Sequence, residues 1–195
     1  MHEDRIIHDV DRLIELFDDT FFDKYNTRLI KGGEEPIYLP ADAENPFHQI
    51  VFRSDYFSSA LHEIAHWCIA GAERRLKKDY GYWYAPDDRD RPTQKEFYKV
   101  EELPQAIEWG FCLACGVKFN ISMDNLNGDK TDELAFTSNV AYRLSKLLSF
   151  GFPPRAEYFI DVLRKEYFPQ KVFTPKSRAQ LSFETTNSKL RNSRI

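Results

Sequence analysis

Residues 62–66 of this chain read His-Glu-Ile-Ala-His, an H-E-x-x-H pattern. On a helix, histidines at i and i+4 leave one face about a turn apart, so two imidazoles can share one metal ion. The surrounding residues predict such a helix over 56–77. Its apolar stripe is Phe57, Leu61, Ile64, Ala65, Cys68 and Ala72, and His62 and His66 fall away from the centre of that stripe, beside Ser59 and Glu73. They are not placed as core histidines. A third ligand is sought among carboxylates, and Glu108 is the candidate because it is the one charged residue between Leu103 and Val117. That segment is apolar all round, which predicts a buried helix starting at Leu103-Pro104. A buried carboxylate needs a cation or must take up a proton. A metal held by His62 and His66 on a neighbouring helix would supply the charge, as would an ion pair with Arg53 or Arg143. Glu101, Glu102 and His48 are the reserve ligands.

Two histidines and a carboxylate serve two chemistries. With zinc, the site would polarise a water and Glu63 would act as general base for hydrolysis. With Fe(II), a facial triad would leave positions for dioxygen and substrate. Ile69 and Ala72 stand where the extended metzincin motif needs Gly and His, which excludes that branch. Cys112 and Cys115 form a lone C-x-x-C inside an apolar helix and read as core packing. Tyr82, Trp83 and Tyr84, with Tyr80, could wall a site for a cationic substrate or anchor a loop, and Asp87, Asp88, Asp90 and Asp129 could add negative charge.

These residues need elements to hold them. Apolar spacing predicts an amphipathic helix over 4–18 that covers a sheet, and the short β-prone pieces TRLI, PIYLP and QIVFR predict that sheet between 27 and 53. Ser54 or Asp55 is the expected cap of the H-E-x-x-H helix. Residues 79–95 read as an irregular aromatic loop, and further helices are expected over 132–149 and 155–168, divided by Gly151-Phe152-Pro153-Pro154. The expectation is an α+β fold: one catalytic domain over 1–168, a small sheet packed with helices and a metal site between two of them, then a polar, loosely ordered tail over 169–195.

The tail carries six Lys/Arg and one acid, so the body nets −9 within a chain of 195 residues that nets −4. An acidic body argues against direct nucleic-acid binding and for a cleft that favours cations. Three cysteines, no segment near the roughly 20 apolar residues of a membrane span and no leader-like start predict a cytoplasmic protein with no membrane partner. There is no G-x-G-x-x-G or phosphate loop, so any reductant must come from outside.

Five stretches in order resemble the bacterial elongation factor P hydroxylase family: TRLIKGGEEPIYLPADAE (27–44), HEIAHWCIAG (62–71), GYWYAPDDRD (81–90), QAIEWGFC (105–112) and DNLNGD (124–129). The resemblance runs over about residues 10–165. It implies a cytosolic, oxygen-dependent hydroxylase acting on elongation factor P whose lysine carries a β-lysyl group. It further implies a fold similar to a metal-dependent rRNA-maturation endonuclease and a site like the two-histidine, one-carboxylate iron motif. Carried over, His62 and His66 are the two histidines, and Glu108 is the carboxylate inferred from burial. Glu63 lies outside the ligand set and would orient a bound water or ligand. Fe(II) is the expected metal, with other divalent ions as substitutes. The competing reading is a zinc-dependent hydrolase, peptidase or nuclease, and a third is a binding module with a structural metal.

Overall fold

The computed structural model describes residues 8–78, 91–123 and 130–169. Helix α1 (Val10–Tyr25) opens on Asp9, whose carboxylate accepts the Asp11 N–H at 2.8 Å, and closes on Asn26 in the left-handed region at φ 47°, its N–H returned to the Phe22 carbonyl. The helix starts later than 4 and runs seven residues past 18, because Leu13, Leu16, Phe17 and Phe21 keep one apolar face buried to its end. As expected, it covers the sheet.

The sheet has β3 (His48–Phe52) in the middle, parallel to β1 (Thr27–Lys31) and antiparallel to β2 (Ile37–Leu39). Leu29 and Tyr38 lie opposite Ile50 on either side. Just past β1, Gly32 approaches β3 so closely that a Cβ there would stand 2.7 Å from the Phe52 carbonyl oxygen and collide with Val51. Only glycine lets that edge close, and the Gly32 N–H bonds the same oxygen at 3.0 Å.

Helix α2 (Phe57–Ile69) carries the H-E-x-x-H residues and is shorter than expected at its C-terminal end. Neither Ser54 nor Asp55 caps it. Ser54 sits at φ 53° in the turn from β3, bonded through its N–H to Gly33, and Tyr56 takes the cap position without a side-chain bond. At the other end Arg155 donates to the Trp67, Cys68 and Ala70 carbonyls at 2.8, 3.0 and 2.6 Å, replacing the amides of a further turn, and a short 3-10 turn follows at Arg74–Leu76.

Helix α3 (Arg91–Cys115) differs most from expectation, beginning twelve residues before Leu103 and passing through Pro104. An interior proline removes one helical bond at a cost of about 3 kcal/mol. Packing offsets it, because α3 lies against α2, α4 (Lys130–Phe150) and α5 (Pro154–Tyr167), with Ala106, Ile107, Phe111 and Ala114 fully buried. The bounds of α4 and α5 fall within two residues of those expected, with Gly151 at φ 102° between them.

Trp67 locks α2 to this core. Its ring meets Phe17, Phe21 and Tyr25 edge-on at centroid distances of 5.2, 4.9 and 5.3 Å, and Phe159 joins Phe17 and Phe21. Such pairs add about 0.5–1.5 kcal/mol each beyond burial. With Leu61, Ile64, Ala65 and Cys68 also buried, the rotation of α2 is set. No helix among the described residues is long and apolar enough to cross a membrane.

Candidate metal centre

His62 and His66 face each other across one turn of α2, their Nε2 atoms 3.1 Å apart. The carboxylate of Glu101, from α3, closes the group: its Oε1 lies 3.3 Å from His66 Nε2 and its Oε2 3.6 Å from His62 Nε2. Ligand bonds of about 2.1 Å require neighbouring donors roughly 3.0–3.4 Å apart, whether tetrahedral or octahedral. The three donors therefore already stand near the spacing a divalent ion imposes. Among the described residues, these are the histidines and acid whose ligand atoms converge in this way.

Glu101 is nearly inaccessible, and its Oε2 has no hydrogen-bond donor. A buried carboxylate oxygen with no donor, facing two imidazole nitrogens, fits a cation between them. The side chains of His62 and His66 are 23% and 12% exposed against 5% for Glu101, so solvent reaches the group from the α2 side.

Glu108 lies elsewhere on the same ring. Its Oε2 accepts from His62 Nδ1 at 2.8 Å, the nitrogen opposite the one that meets Glu101. A carboxylate there makes Nδ1 the protonated nitrogen and leaves the Nε2 lone pair for a ligand bond. Glu101 and Glu108, seven residues apart on α3, share one face two turns apart and hold His62 from both sides. Glu108 is thus buried with His62 as its partner, whereas Arg143 pairs with Glu102 at 3.3 Å.

The other reserve residues have structural partners. Glu102 also accepts from Asn139 on α4 at 2.8 Å. His48 accepts the Ala41 N–H at its Nδ1 and stacks on Tyr38, and burial lowers its pKa. Glu63 lines a small hollow next to His66, and burial raises the pKa of its carboxyl. Tyr82, Trp83 and Tyr84, the aspartates at 87, 88, 90 and 129, and the basic tail from 170 on lie outside the described residues. Cys112 and Cys115 are buried free thiols, with burial raising both pKa values, as core packing requires.

Burial opposes charge on both members of the central pair. The Glu108 hydrogen bond, with the charges of Glu108, Glu101 and Glu63, nevertheless pushes His62 up to about 10. Despite its burial, Glu101 is brought down to about 2 by His66 and His62. The same carboxylates that favour a proton on His62 favour a cation beside it.

Glu101 was legible only as a reserve ligand. Starting α3 at Leu103 left it outside the helix, although the i, i+7 relation of Glu101 and Glu108 is written in the sequence. Extending the helix upstream through Pro104 is the step that would have found it.

A sequence profile described as elongation factor P hydroxylase matches residues 16–177. Over 150 residues the chain is 48% identical to the elongation factor P lysine hydroxylase of Haemophilus influenzae, an alignment that covers 77% of this chain and 84% of that protein.

Proposed function

The chain belongs to the elongation factor P hydroxylase family, and on that premise we propose that this enzyme hydroxylates the β-lysyl-modified lysine of elongation factor P at an Fe(II) centre, using dioxygen. The observation that carries the reading is the convergence of His62 Nε2, His66 Nε2 and the Glu101 carboxylate, with Glu108 on the far nitrogen of His62. In this reading His62, His66 and Glu101 are the metal ligands. Glu108, read from the sequence as a ligand, becomes the residue that orients one.

Bound there, Fe(II) would supply the activation of dioxygen for insertion into a C–H bond. The protein does the rest. Glu108 holds the His62 ring in the tautomer that offers Nε2. Glu63, beside His66 and inclined by burial to keep its proton, orients a water or substrate group and can hold a proton there. The open side at His62 and His66 admits the substrate arm, whose amines are drawn toward the negative charge of Glu101 and Glu108. The second oxygen atom leaves as water with two electrons from an external reductant. In this reading the enzyme works in the cytoplasm beside its translation-factor substrate, and its acidic body disfavours nucleic acid as a partner.

The test is the intact mass of β-lysylated elongation factor P after incubation with the protein, Fe(II), a reductant and air, beside an anaerobic control. One added oxygen atom only in air is the expected result. No addition by metal-loaded protein, with hydrolytic activity that persists without oxygen, would replace the reading with the zinc hydrolase.

A further inference from the structure

Among the described residues, α3 buries three polar side chains. Glu101 and Glu108 meet His62, and Gln105 lies between them on the same helical face, four residues after one and three before the other. A side-chain amide in an apolar helix must recover the hydrogen bonds that burial removes, since each one left unmade costs about 1–3 kcal/mol. Gln105 recovers two on the backbone of Ser122: its Nε2 donates to the Ser122 carbonyl at 2.7 Å, and its Oε1 accepts the Ser122 N–H at 3.1 Å. This pair fixes which end of the amide is nitrogen and leaves the second Nε2 hydrogen over. The Glu101 carboxylate, one turn back, is within hydrogen-bonding reach. Burial opposes the charge on Glu101, His66 and His62 favour it, and the Gln105 amide adds to them. Glu101 Oε2 still accepts no bond, which leaves it to a cation.

Ser122 belongs to a stretch that returns along α3. Beyond Cys115 the chain reverses at Gly116, φ 75°, with the Val117 N–H bonded to the Cys112 carbonyl at 2.9 Å. Phe119 then stacks on Trp109 at a centroid distance of 4.8 Å, and three residues later Ser122 reaches Gln105. Each step forward in this segment is a step back along the helix, so it climbs toward the level of Glu101. Ser122 is itself exposed, and its backbone is held by a side chain that is buried.

We propose that Gln105 is a positioning residue: it orients the Glu101 carboxylate toward the two histidines and, through Ser122, makes the hold on segment 117–123 depend on what Glu101 binds. The inference rests on the reading of Glu101 as a metal ligand and adds to it a link between the centre and the chain beside it. Such a coupling is reciprocal. If losing Gln105 weakens metal binding about tenfold, the low end for residues that orient a ligand, metal loading should strengthen the contact of Gln105 with Ser122 by the same factor.

The experiment combines Zn(II) affinity, by competition against a chelator of known strength, with amide hydrogen exchange of the metal-free and the Zn(II)-loaded protein. In the wild type, exchange at the Ser122 N–H is expected to slow about tenfold on loading. Gln105→Met keeps the length of the side chain and removes its hydrogen bonds, with circular dichroism to check the fold. It should bind Zn(II) about tenfold more weakly, and its Ser122 exchange should no longer respond to the metal. A positioning residue acts through the ligand it positions, so in a Glu101→Gln background Gln105→Met should cause little further loss. An equal loss in both backgrounds would make Gln105 a residue of general packing and overturn the proposal, as would wild-type affinity in Gln105→Met. Ser122 exchange that does not change on loading of the wild type overturns it without any variant, which covers a variant that fails to fold. If Glu101→Gln binds Zn(II) as the wild type does, the ligand reading fails and the proposal falls with it. If Glu101→Gln loses the metal while Gln105→Met keeps it, the positioning role alone fails.

Discussion

Replacing each α3 carboxylate separately tells a ligand from the residue that orients one. Glu108→Gln keeps the volume and removes a charge-assisted bond of 2.8 Å to His62 Nδ1. Such bonds contribute about 1.5–3 kcal/mol, so metal affinity should fall roughly 10- to 100-fold, the range for residues that orient a ligand. The amide can still accept from Nδ1–H through its oxygen, so all three donors remain and excess Fe(II) should restore most turnover. Glu101→Gln instead replaces the one anionic donor of the three by a weak, neutral amide oxygen. If about 10–16 kcal/mol of binding is shared among four ligands, each supplies roughly 2.5–4 kcal/mol, so affinity should drop by up to roughly 70- to 850-fold. Excess metal should not restore hydroxylation. Affinity is read by competition against a chelator of known strength, and turnover by the added oxygen mass on elongation factor P. The reasoning is refuted if Glu101→Gln binds metal as the wild type does while Glu108→Gln cannot be rescued. That outcome would return the ligand role to Glu108.

His62→Ala and His66→Ala should each abolish both metal binding and hydroxylation, measured by metal content after gel filtration and by the same mass assay; normal turnover without metal in either variant would exclude the centre. The folded metal-free protein holds the His62 proton up to about pH 10, against about 6.5 unfolded, so this group's stabilisation is present below pH 6.5 and lost as pH rises to 10. Thermal melts of metal-free protein should show that decline and His62→Gln should lack it; bound metal, which displaces the proton, should reverse the trend, with affinity increasing with pH. Gly32→Ala would drive a methyl against the Phe52 carbonyl and Val51, and a loss of about 1–3 kcal/mol in urea unfolding is expected. A variant as stable as the wild type would show that the β1–β3 edge can spread.

Much of the fold was legible because its signals are local. The periodicity of Leu13, Leu16, Phe17 and Phe21, the β-prone pieces between glycines and prolines, and Gly151 before Pro153-Pro154 each act within a few residues. Errors arose where packing outweighed a local preference. Pro104 looked like a helix start, yet α3 runs through it because its buried faces offset one missing bond. The 56–77 helix looked continuous, yet Arg155, nearly ninety residues downstream, takes up the carbonyls at its end.

The pair His62 and His66 was determined by the sequence alone, since i, i+4 spacing on any helix brings two side chains to one face. That a buried carboxylate must accompany them also followed from Glu108 in an apolar segment. Which carboxylate meets which nitrogen did not follow. Glu101 and Glu108 are equivalent on the α3 face, and only the height at which α2 crosses α3 sets Glu101 against Nε2 and Glu108 against Nδ1. A shift of one helical turn, about 5.4 Å, would change the partners of the His62 ring. Trp67 among Phe17, Phe21 and Tyr25 holds α2 to α1, and Phe159, against both Phe17 and Phe111, ties α3 to the same cluster, contacts between residues far apart in the chain.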